Sequence, residues 1–363
     1  MKRKTAYKGR MLPDPTSLFS ITSTILSGIS TTPKLALSIS LLVSTAFHCS
    51  CQKEAPDTVA ETSGKGDECL SIECKSDNHD MLSASILTFR ADSLGRLESY
   101  QYIKDIKDGK IWVACTDGPK TCYIYGNLML SKEDIARIST ASDLDKFHCN
   151  LEDVSSDAPF MTGMVEILDN RESAVAAYMK PMVSEITLNS ISCNFSGTPY
   201  DGEKIVDPQI YLINVNAQCS LNESSQQVQR LINVGACSQD DVEQFSDPGI
   251  IRRFIGQDIG HQKIYPGLSL YCFHNFCKEE GPGSPFTRLV LEGKIQNETY
   301  YWPITINRTD EGEGIRNNTR HIFDLTIRRK GSLNPDEELS IEDCNIIIEW
   351  KEWNEKEEQS VIF

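Results

Sequence analysis

The sequence has fewer basic than acidic residues and no apolar run as long as a transmembrane helix. It has 36 Lys and Arg residues and 52 Asp and Glu residues, which gives a formal net charge of −16 at pH 7. A chain this acidic repels nucleic acid and anionic lipid headgroups, so we expect no nucleic-acid partner. The apolar stretch at 35–47 has thirteen residues, fewer than the ~20 that span a bilayer as a helix.

The sequence also lacks the usual motifs of catalysis and of cofactor binding. None of its six histidines forms an i, i+4 pair. Cys272, His274 and Cys277 come nearest to a ligand cluster, but a structural zinc site needs four ligands and no second cluster accompanies this one. No nucleophile elbow and no phosphate-binding glycine loop is present. The sequence therefore predicts a protein that is not an enzyme and has no cofactor and no metal.

Cysteine, in contrast, is abundant, with thirteen residues in the chain. Eleven of them lie beyond residue 51, and several occupy inward-facing positions of strand-like runs. A buried cysteine acts as a small hydrophobic side chain. We expect most of these cysteines to be core residues, with at most a few disulfides among them.

The first 50 residues have the pattern of a lipoprotein signal peptide. They carry six basic residues and one acidic residue, and the apolar stretch at 35–47 follows Lys34. Cys51, preceded by the small Ser50, is the predicted lipid attachment site; Cys49 is the less favoured one because it follows the bulky His48. The alternative is ordinary signal-peptide cleavage nearby. Residues 51–67 are polar without a period, which predicts a flexible tether or propeptide.

Short alternating runs separated by Gly, Pro, Asp and Asn fill the rest of the chain. In KIWVACT, for example, Ile111 and Val113 share one face, as expected of a half-buried strand. Near Asn189 the alternation shifts phase, which predicts a β-bulge. Ser131 precedes a short helical pattern as a candidate N-cap. The spacing favours an all-β fold with two antiparallel β-sandwich domains, 68–180 and 181–363, and a few short helices.

Several motifs resemble one known family. The segments TRLVLEGKIQNETYYWPITIN and GIRNNTRHIFDLTIRRKGSLNP, a last strand ending in EW, and ILTFRADSLGRLESYQ near the start occur in this order. Together they are similar to the fimbrillins, the subunits of type V pili in Bacteroidetes. The resemblance covers residues 68–353 and implies two tandem transthyretin-like β-sandwiches.

The resemblance also implies a function. Fimbrillins are exported as lipoprotein precursors to the outer membrane and cell surface, where a protease removes the first strand. The vacated groove then accepts a strand from the next subunit, so the implied partners are other fimbrial subunits. Surface ligands of host or bacterial cells are further expected partners, as is the outer membrane through the lipid of the precursor. The alternatives are an unprocessed, lipid-anchored pilus base subunit and a monomeric ligand-binding lipoprotein of the surface.

Applied to this chain, the resemblance makes Cys69–Lys75 the first strand. Processing in the family usually follows an arginine, yet residues 51–89 contain none. The maturation candidates are therefore Lys65, Lys75, Arg90 and Arg96. The donor-strand candidates come from the C-terminal segment and are Ile346, Ile348, Trp350, Val361, Ile362 and Phe363.

Overall fold

The computed structural model of the protein describes residues 69–352, except 77–78, 169–174, 223–227, 229, 278–284, 308–313, 338 and 340–343. The first nine strands are β1 Cys69–Lys75, β2 Ser83–Arg90, β3 Leu97–Lys104, β4 Lys110–Ala114, β5 Lys120–Gly126, β6 His148–Asn150, β7 Met161–Ile167, β8 Val175–Tyr178 and β9 Lys180–Pro181. The next six are β10 Ser184–Cys193, β11 Val206–Ile213, β12 Val215–Asn216, β13 Gln218–Ser220, β14 Leu231–Ile232 and β15 Arg252–Phe254. The last five are β16 Leu268–Cys272, β17 Arg288–Ile295, β18 Glu298–Thr305, β19 Thr319–Ile327 and β20 Cys344–Glu352.

The helices are short. The two α-helices are α1 Lys132–Arg137 and α2 Gln239–Glu243, and the 3-10 helices are Ala141–Lys146, Leu151–Asp153 and Pro248–Ile250. The predicted N-cap of α1 is confirmed, since Ser131 Oγ accepts a hydrogen bond from the Asp134 N–H at 3.1 Å. Among the described residues, no helix combines the length and apolar character needed to cross a membrane.

Two sheets of the first half pack face to face. One is five-stranded, in the order β3-β2-β5-β7-β9, and the other is three-stranded, in the order β4-β1-β8. The apolar side chains between them form one continuous cluster, which includes Ile72, Ile86, Ile111 and Ile124. On the other face of the five-stranded sheet, Leu87 is also buried and belongs to a second, larger cluster.

The second half repeats this arrangement with two four-stranded sheets. Their orders are β16-β10-β19-β20 and β15-β11-β17-β18. Their inward side chains form the centre of the larger cluster, in which Ile186, Trp302 and Phe323 are fully buried. The register of β10 against β19 shifts between Leu188 and Ser190, so the predicted bulge at Asn189 is confirmed.

The all-β fold class is confirmed, with two departures in detail. The β1–β8 and β10–β19 pairs are parallel, whereas the sequence predicts antiparallel sheets. Short-range patterns give each strand's faces but not its neighbours, which explains the difference. Leu231–Ile232 forms the short strand β14, which the sequence patterns did not predict. The division near residue 180 stays a prediction.

A two-stranded sheet joins the two halves of the chain. Strand β6, from the first half, pairs antiparallel with β13, from the second. Hydrogen bonds extend this pairing at both ends, from the Leu151 N–H to the Ala217 oxygen and from the Leu221 N–H to the Phe147 oxygen, each at 2.9 Å. We call this feature the β6–β13 junction.

Candidate functional site

The predicted first strand lies in the middle of its sheet. Strand β1 pairs antiparallel with β4, with Ile72 opposite Ile111, and parallel with β8, with Ile72 opposite Val175. In the described part of the chain, β1 is the only strand that pairs with β4 and the only one that pairs with β8. Loss of β1 would therefore leave two strand edges facing each other across an empty position.

The side chains of β1 alternate between the core and the surface. Leu70, Ile72 and Cys74 point inward and are at most 8% exposed. Between them Ser71 and Glu73 are half-buried, and Lys75 is exposed at the strand's end. This alternation gives β1 one apolar face that fills the space between the two sheets of the first half.

The C-terminal end of β1 is fixed by main-chain hydrogen bonds to residues that adjoin both neighbouring strands. The Cys74 N–H donates to the Gly109 oxygen at 2.7 Å, and the Met179 N–H donates to the Lys75 oxygen at 2.8 Å. Burial raises the pKa of the Cys74 thiol to about 12, so this cysteine stays neutral and packs as an apolar group. The sequence analysis missed β8, the parallel partner, although Val175 and Ala177 alternate with polar or exposed neighbours as a short strand should.

The maturation candidates occupy different positions relative to β1. Lys65 lies outside the described residues. Lys75 is the last residue of β1, and its exposed Nζ lies 3.7 Å from Glu73 Oε2. Arg90 is the last residue of β2, and its Nε lies 3.5 Å from Glu98 Oε2. Arg96 follows a turn after β2 and forms a bridge with Thr140.

A cut at either arginine would affect much more of the fold than β1. Strand β2 lies inside the five-stranded sheet, paired with β3 and β5. Its residues Ala84 through Phe89 are all buried. A cut after Arg90 or Arg96 would separate β2 from the rest of the chain, while a cut after Lys75 separates β1 alone.

The donor candidates divide into two groups. Ile346, Ile348 and Trp350 lie in β20, which pairs antiparallel with β19 of the same chain along nine residues. Val361, Ile362 and Phe363 lie outside the described residues, as do the lipid candidates Cys51 and Cys49. In this structure β20 is thus an edge strand of its own sheet.

The cysteine and histidine residues near 272–277 do not form a metal site with one another. Cys272 and Cys277 are buried, and no group of three or more His, Cys, Asp or Glu side chains in the described residues is arranged to hold a metal ion. His274 instead lies beside Cys219, with 3.8 Å between His274 Nδ1 and Cys219 Sγ. Cys219 in turn faces Cys149 across the β6–β13 junction. Sequence analysis missed this cluster because its members are far apart along the chain.

A shallow cleft of about 470 Å³ lies beside the end of β15 in the second half. Its lining combines the exposed ring of Phe254 with polar groups such as Asp207, Gln257 and Lys294. Lys294 Nζ lies 3.0 Å from Asp207 Oδ2, so part of its charge is already paired.

Comparison with solved structures places this fold among known ones. A candidate cell adhesion protein from Bacteroides eggerthii superposes with a TM-score of 0.58 at 14% identity, over 78% of this chain and 95% of that chain. One from Parabacteroides distasonis gives a TM-score of 0.56 at 12% identity, over 79% and 98%. A fimbrilin from Porphyromonas gingivalis gives 0.53 at 11% identity, over 78% and 96%.

The chain has the fold of the fimbrilins. The resemblance that the sequence motifs indicate is therefore confirmed at the level of fold. No sequence-family model matches the chain, and no curated protein matches it in sequence. These three relatives of the fimbrilin-like chain are a fimbrilin and two candidate cell adhesion proteins rather than enzymes.

Proposed function

We propose that this fimbrilin-like chain is a subunit of a surface fimbrium that contributes to adhesion. It is exported as a lipoprotein precursor through residues 1–50 and is lipidated at Cys51. Proteolysis removes its N-terminal segment together with β1, and a strand of another subunit then fills the vacated groove. The observation that carries the proposal is the position of β1, in mid-sheet and ending at the exposed Lys75.

The energetics of β1 support strand replacement. Leu70 and Ile72 alone contribute roughly 3–6 kcal/mol, at about 1.5–3 kcal/mol for each fully buried aliphatic side chain. The backbone N–H and C=O groups of β4 and β8 that pair with β1 would also lose their partners. Each group left buried and unsatisfied would cost about 1–3 kcal/mol. An emptied groove therefore favours any strand that supplies backbone hydrogen bonds and an alternating apolar face.

Lys75 is the maturation site that this geometry favours. Cleavage there releases β1 and leaves β2 within its sheet. Cleavage after Lys65 would leave β1 attached to the body, so the groove would stay filled. Cleavage after Arg90 or Arg96 would also remove β2, whose six central residues are buried. The loss of these side chains would destabilise the core of the first half.

The C-terminal segment has the spacing that a donor needs. Ile346, Ile348 and Trp350 are two residues apart, as are Leu70, Ile72 and Cys74 on the inner face of β1. Residues at this spacing share one face of a strand. Val361 and Phe363 share the same spacing, and Ile362 would face the other side. Because β20 pairs with β19 in this structure, its use as a donor requires it to leave that edge.

Head-to-tail strand insertion does not close on itself, so it produces a filament of like or related subunits. The alternative role is an unprocessed base subunit or a monomeric surface lipoprotein that keeps both its lipid and β1. In that role the cleft beside Phe254 is a candidate ligand contact. The two roles differ in the N-terminus of the mature protein.

The deciding experiment is the intact mass and N-terminal sequence of the protein recovered from the cell surface. A mature chain that begins at Ser76 and carries no lipid supports the proposal. The variant Lys75→Ala should then accumulate as the precursor, while Lys104→Ala, at another exposed strand end, should mature normally. A diacylated Cys51 with residues 52–75 intact would contradict strand removal and support the base or monomeric role.

A further inference from the structure

We propose that Cys149 and Cys219 form a disulfide that joins the two halves of the chain across the β6–β13 junction. The site is a pair of thiols held opposite each other by the strand register, and its chemistry is thiol–disulfide exchange. Both residues are thiols in this structure. The oxidant that the reaction needs belongs to the class of small disulfides, of which oxidised glutathione is an example.

The strand register of the junction supports this bond. Cys149 lies directly opposite Cys219 in an antiparallel pair. Opposed residues in such a pair have Cα atoms about 4.5–5.5 Å apart, and disulfides occur at Cα separations of about 4.4–6.8 Å. The two side chains also point to the same face, and both are at most 4% exposed. Cys149 Sγ lies 3.4 Å from the Cys219 carbonyl oxygen.

The surroundings of Cys219 also support this bond. Asn317 Nδ2 donates a hydrogen bond to Cys219 Sγ at 3.6 Å, and His274 Nδ1 lies 3.8 Å from the same sulfur. The Cys149 thiol and His274 lower the pKa of Cys219, while the contact with Cys219 raises the pKa of Cys149. Cys219 is thus the thiol that ionises first and attacks, and Cys149 is its resolving partner.

The position of His274 and Asn317 is itself fixed. Asn216 Nδ2 donates to the His274 carbonyl oxygen at 2.9 Å, and the His274 N–H donates to Asn317 Oδ1 at 2.9 Å. Hydrogen bonds within the second half therefore hold the groups that stabilise the Cys219 thiolate. Among the described residues, no other two cysteines are opposed in a strand register.

The chemistry balances in two steps. The Cys219 thiolate attacks one sulfur of oxidised glutathione, whose S–S bond breaks; a mixed disulfide forms at Cys219 Sγ and one glutathione leaves as a thiolate. Cys149 gives its proton to that thiolate and attacks Cys219 Sγ, which releases the second glutathione, and solvent protonates it. Two protein thiols are oxidised, and the oxidant is reduced to two thiols. Because both sulfurs are buried in the folded chain, the oxidant reaches Cys219 before β6 has paired with β13. His274 and Asn317 belong to the second half, as Cys219 does, so in the proposed sequence they already lie beside it at that stage.

The location of the pair gives the bond a mechanical role. The junction links Phe147 and Leu151 of the first half to Leu221 and Ala217 of the second. A subunit within a filament transmits tension through such a link. A covalent bond there keeps the two halves together when the hydrogen bonds of the junction break. This role rests on the proposed function, and the formation of the bond does not.

The test uses the full chain, unfolded with reductant and refolded with oxidised glutathione. Free thiols are then alkylated, and the digested protein is analysed by mass spectrometry. We expect the peptides of Cys149 and Cys219 to be linked, with an intact mass lower by two hydrogen atoms. A bridge across 70 residues lowers the unfolding equilibrium constant by roughly a thousandfold in the chain-entropy model, so reductant should lower the urea midpoint.

Variants separate the steps. The Cys149→Ser variant should accumulate the mixed disulfide between Cys219 and glutathione. The Cys219→Ser variant should form little of the corresponding mixed disulfide at Cys149. In the double variant, reductant should no longer lower the urea midpoint. In the control Cys237→Ser, at a half-buried cysteine, reductant should still lower it. Alkylation of both thiols after oxidative refolding of the unaltered chain would overturn the proposal, as would linkage of either to another cysteine. Since the oxidant is supplied in vitro, such a result would not bear on export or strand removal.

Discussion

The backbone N–H of Cys74, near the end of β1, donates a 2.7 Å hydrogen bond to the carbonyl oxygen of Gly109, just before β4. Gly109 adopts φ +64°, and a Cβ at this position would lie 2.5 Å from the Cys74 oxygen. The close approach of these two main chains therefore requires glycine. It also ties the end of β1, beside the maturation candidate Lys75, to the neighbouring strand.

Gly109→Ala should loosen the end of β1. The left-handed backbone costs an alanine about 1–2 kcal/mol, and the clash with Cys74 adds about 1–3 kcal/mol. We expect a lower urea midpoint and faster cleavage after Lys75 by a lysine-specific protease. Gly95→Ala is the matched control, because Gly95 has φ +54° with no atom near its Cβ position; it should show the smaller backbone cost alone. Equal behaviour of the two variants would contradict the role of the close approach.

Glu98→Gln should destabilise the first half strongly. The Lys120 side chain is 1% exposed, and its Nζ lies 3.3 Å from Glu98 Oε2. Removal of one partner from a buried ion pair costs about 3–5 kcal/mol. The control is Glu73→Gln, which removes the half-exposed partner of Lys75 and should cost at most about 1 kcal/mol. The measurement is urea denaturation of both variants at pH 7.

The same pair should respond to acid. Burial acts to raise the pKa of Glu98, but hydrogen bonds from Thr116 and the charge of Lys120 outweigh it, so the pKa is lowered overall. A carboxyl whose pKa is lower in the folded state stabilises the fold above its unfolded pKa, near 4.3. This contribution should disappear as the pH falls through the folded pKa. The difference in unfolding free energy between wild type and Glu98→Gln should therefore narrow at acid pH.

His321 should make stability depend on pH at mildly acid values. It lies in β19, its Nε2 is 3.2 Å from Thr319 Oγ1, and burial lowers its pKa to about 4. The unfolded chain takes up this proton below about pH 6.5 and the folded chain does not, so stability is full above pH 6.5 and decreases toward pH 4. The loss from this one group is roughly 3 kcal/mol, at 1.36 kcal/mol for each unit of pKa difference.

His321→Gln should remove that part of the pH dependence, as measured by urea denaturation between pH 7 and pH 4. His148→Gln is the control, since His148 is exposed on β6, and its curve should follow that of the wild type. If the His321→Gln curve kept the wild-type slope, the buried imidazole would not be the cause.

Trp302→Phe should weaken the hairpin-like β17–β18 pair. Trp302 is fully buried, and its Nε1 donates to the Arg329 carbonyl oxygen at 3.0 Å. The smaller ring leaves a cavity and removes the donor, for a loss of about 2–4 kcal/mol. Trp112→Phe, at a side chain 51% exposed on β4, should change stability by less than about 0.5 kcal/mol. Calorimetric or urea unfolding would measure both, and equal losses would contradict this difference.

Local patterns predicted much of the fold. The alternation in KIWVACT correctly placed Ile111 and Val113 in the core, and the cap at Ser131 was correct to the residue. The phase shift at Asn189 located a bulge. Most cysteines were expected in the core, and seven of the nine whose side chains the structure describes are buried. The strand at Cys69–Lys75 was also correctly bounded. Each of these features depends on neighbours within a few residues, so the sequence alone carries it.

Other features depend on which distant segments meet. Nothing near Cys69–Lys75 indicates that β1 pairs in parallel with β8, about a hundred residues later. Nor does the sequence place Cys149 opposite Cys219, or His274 beside it. The sequence by itself thus determined the faces of the strands, because side-chain alternation is a local property. Only the tertiary structure decided the partners of those strands, because pairing is settled by long-range packing of the two cores.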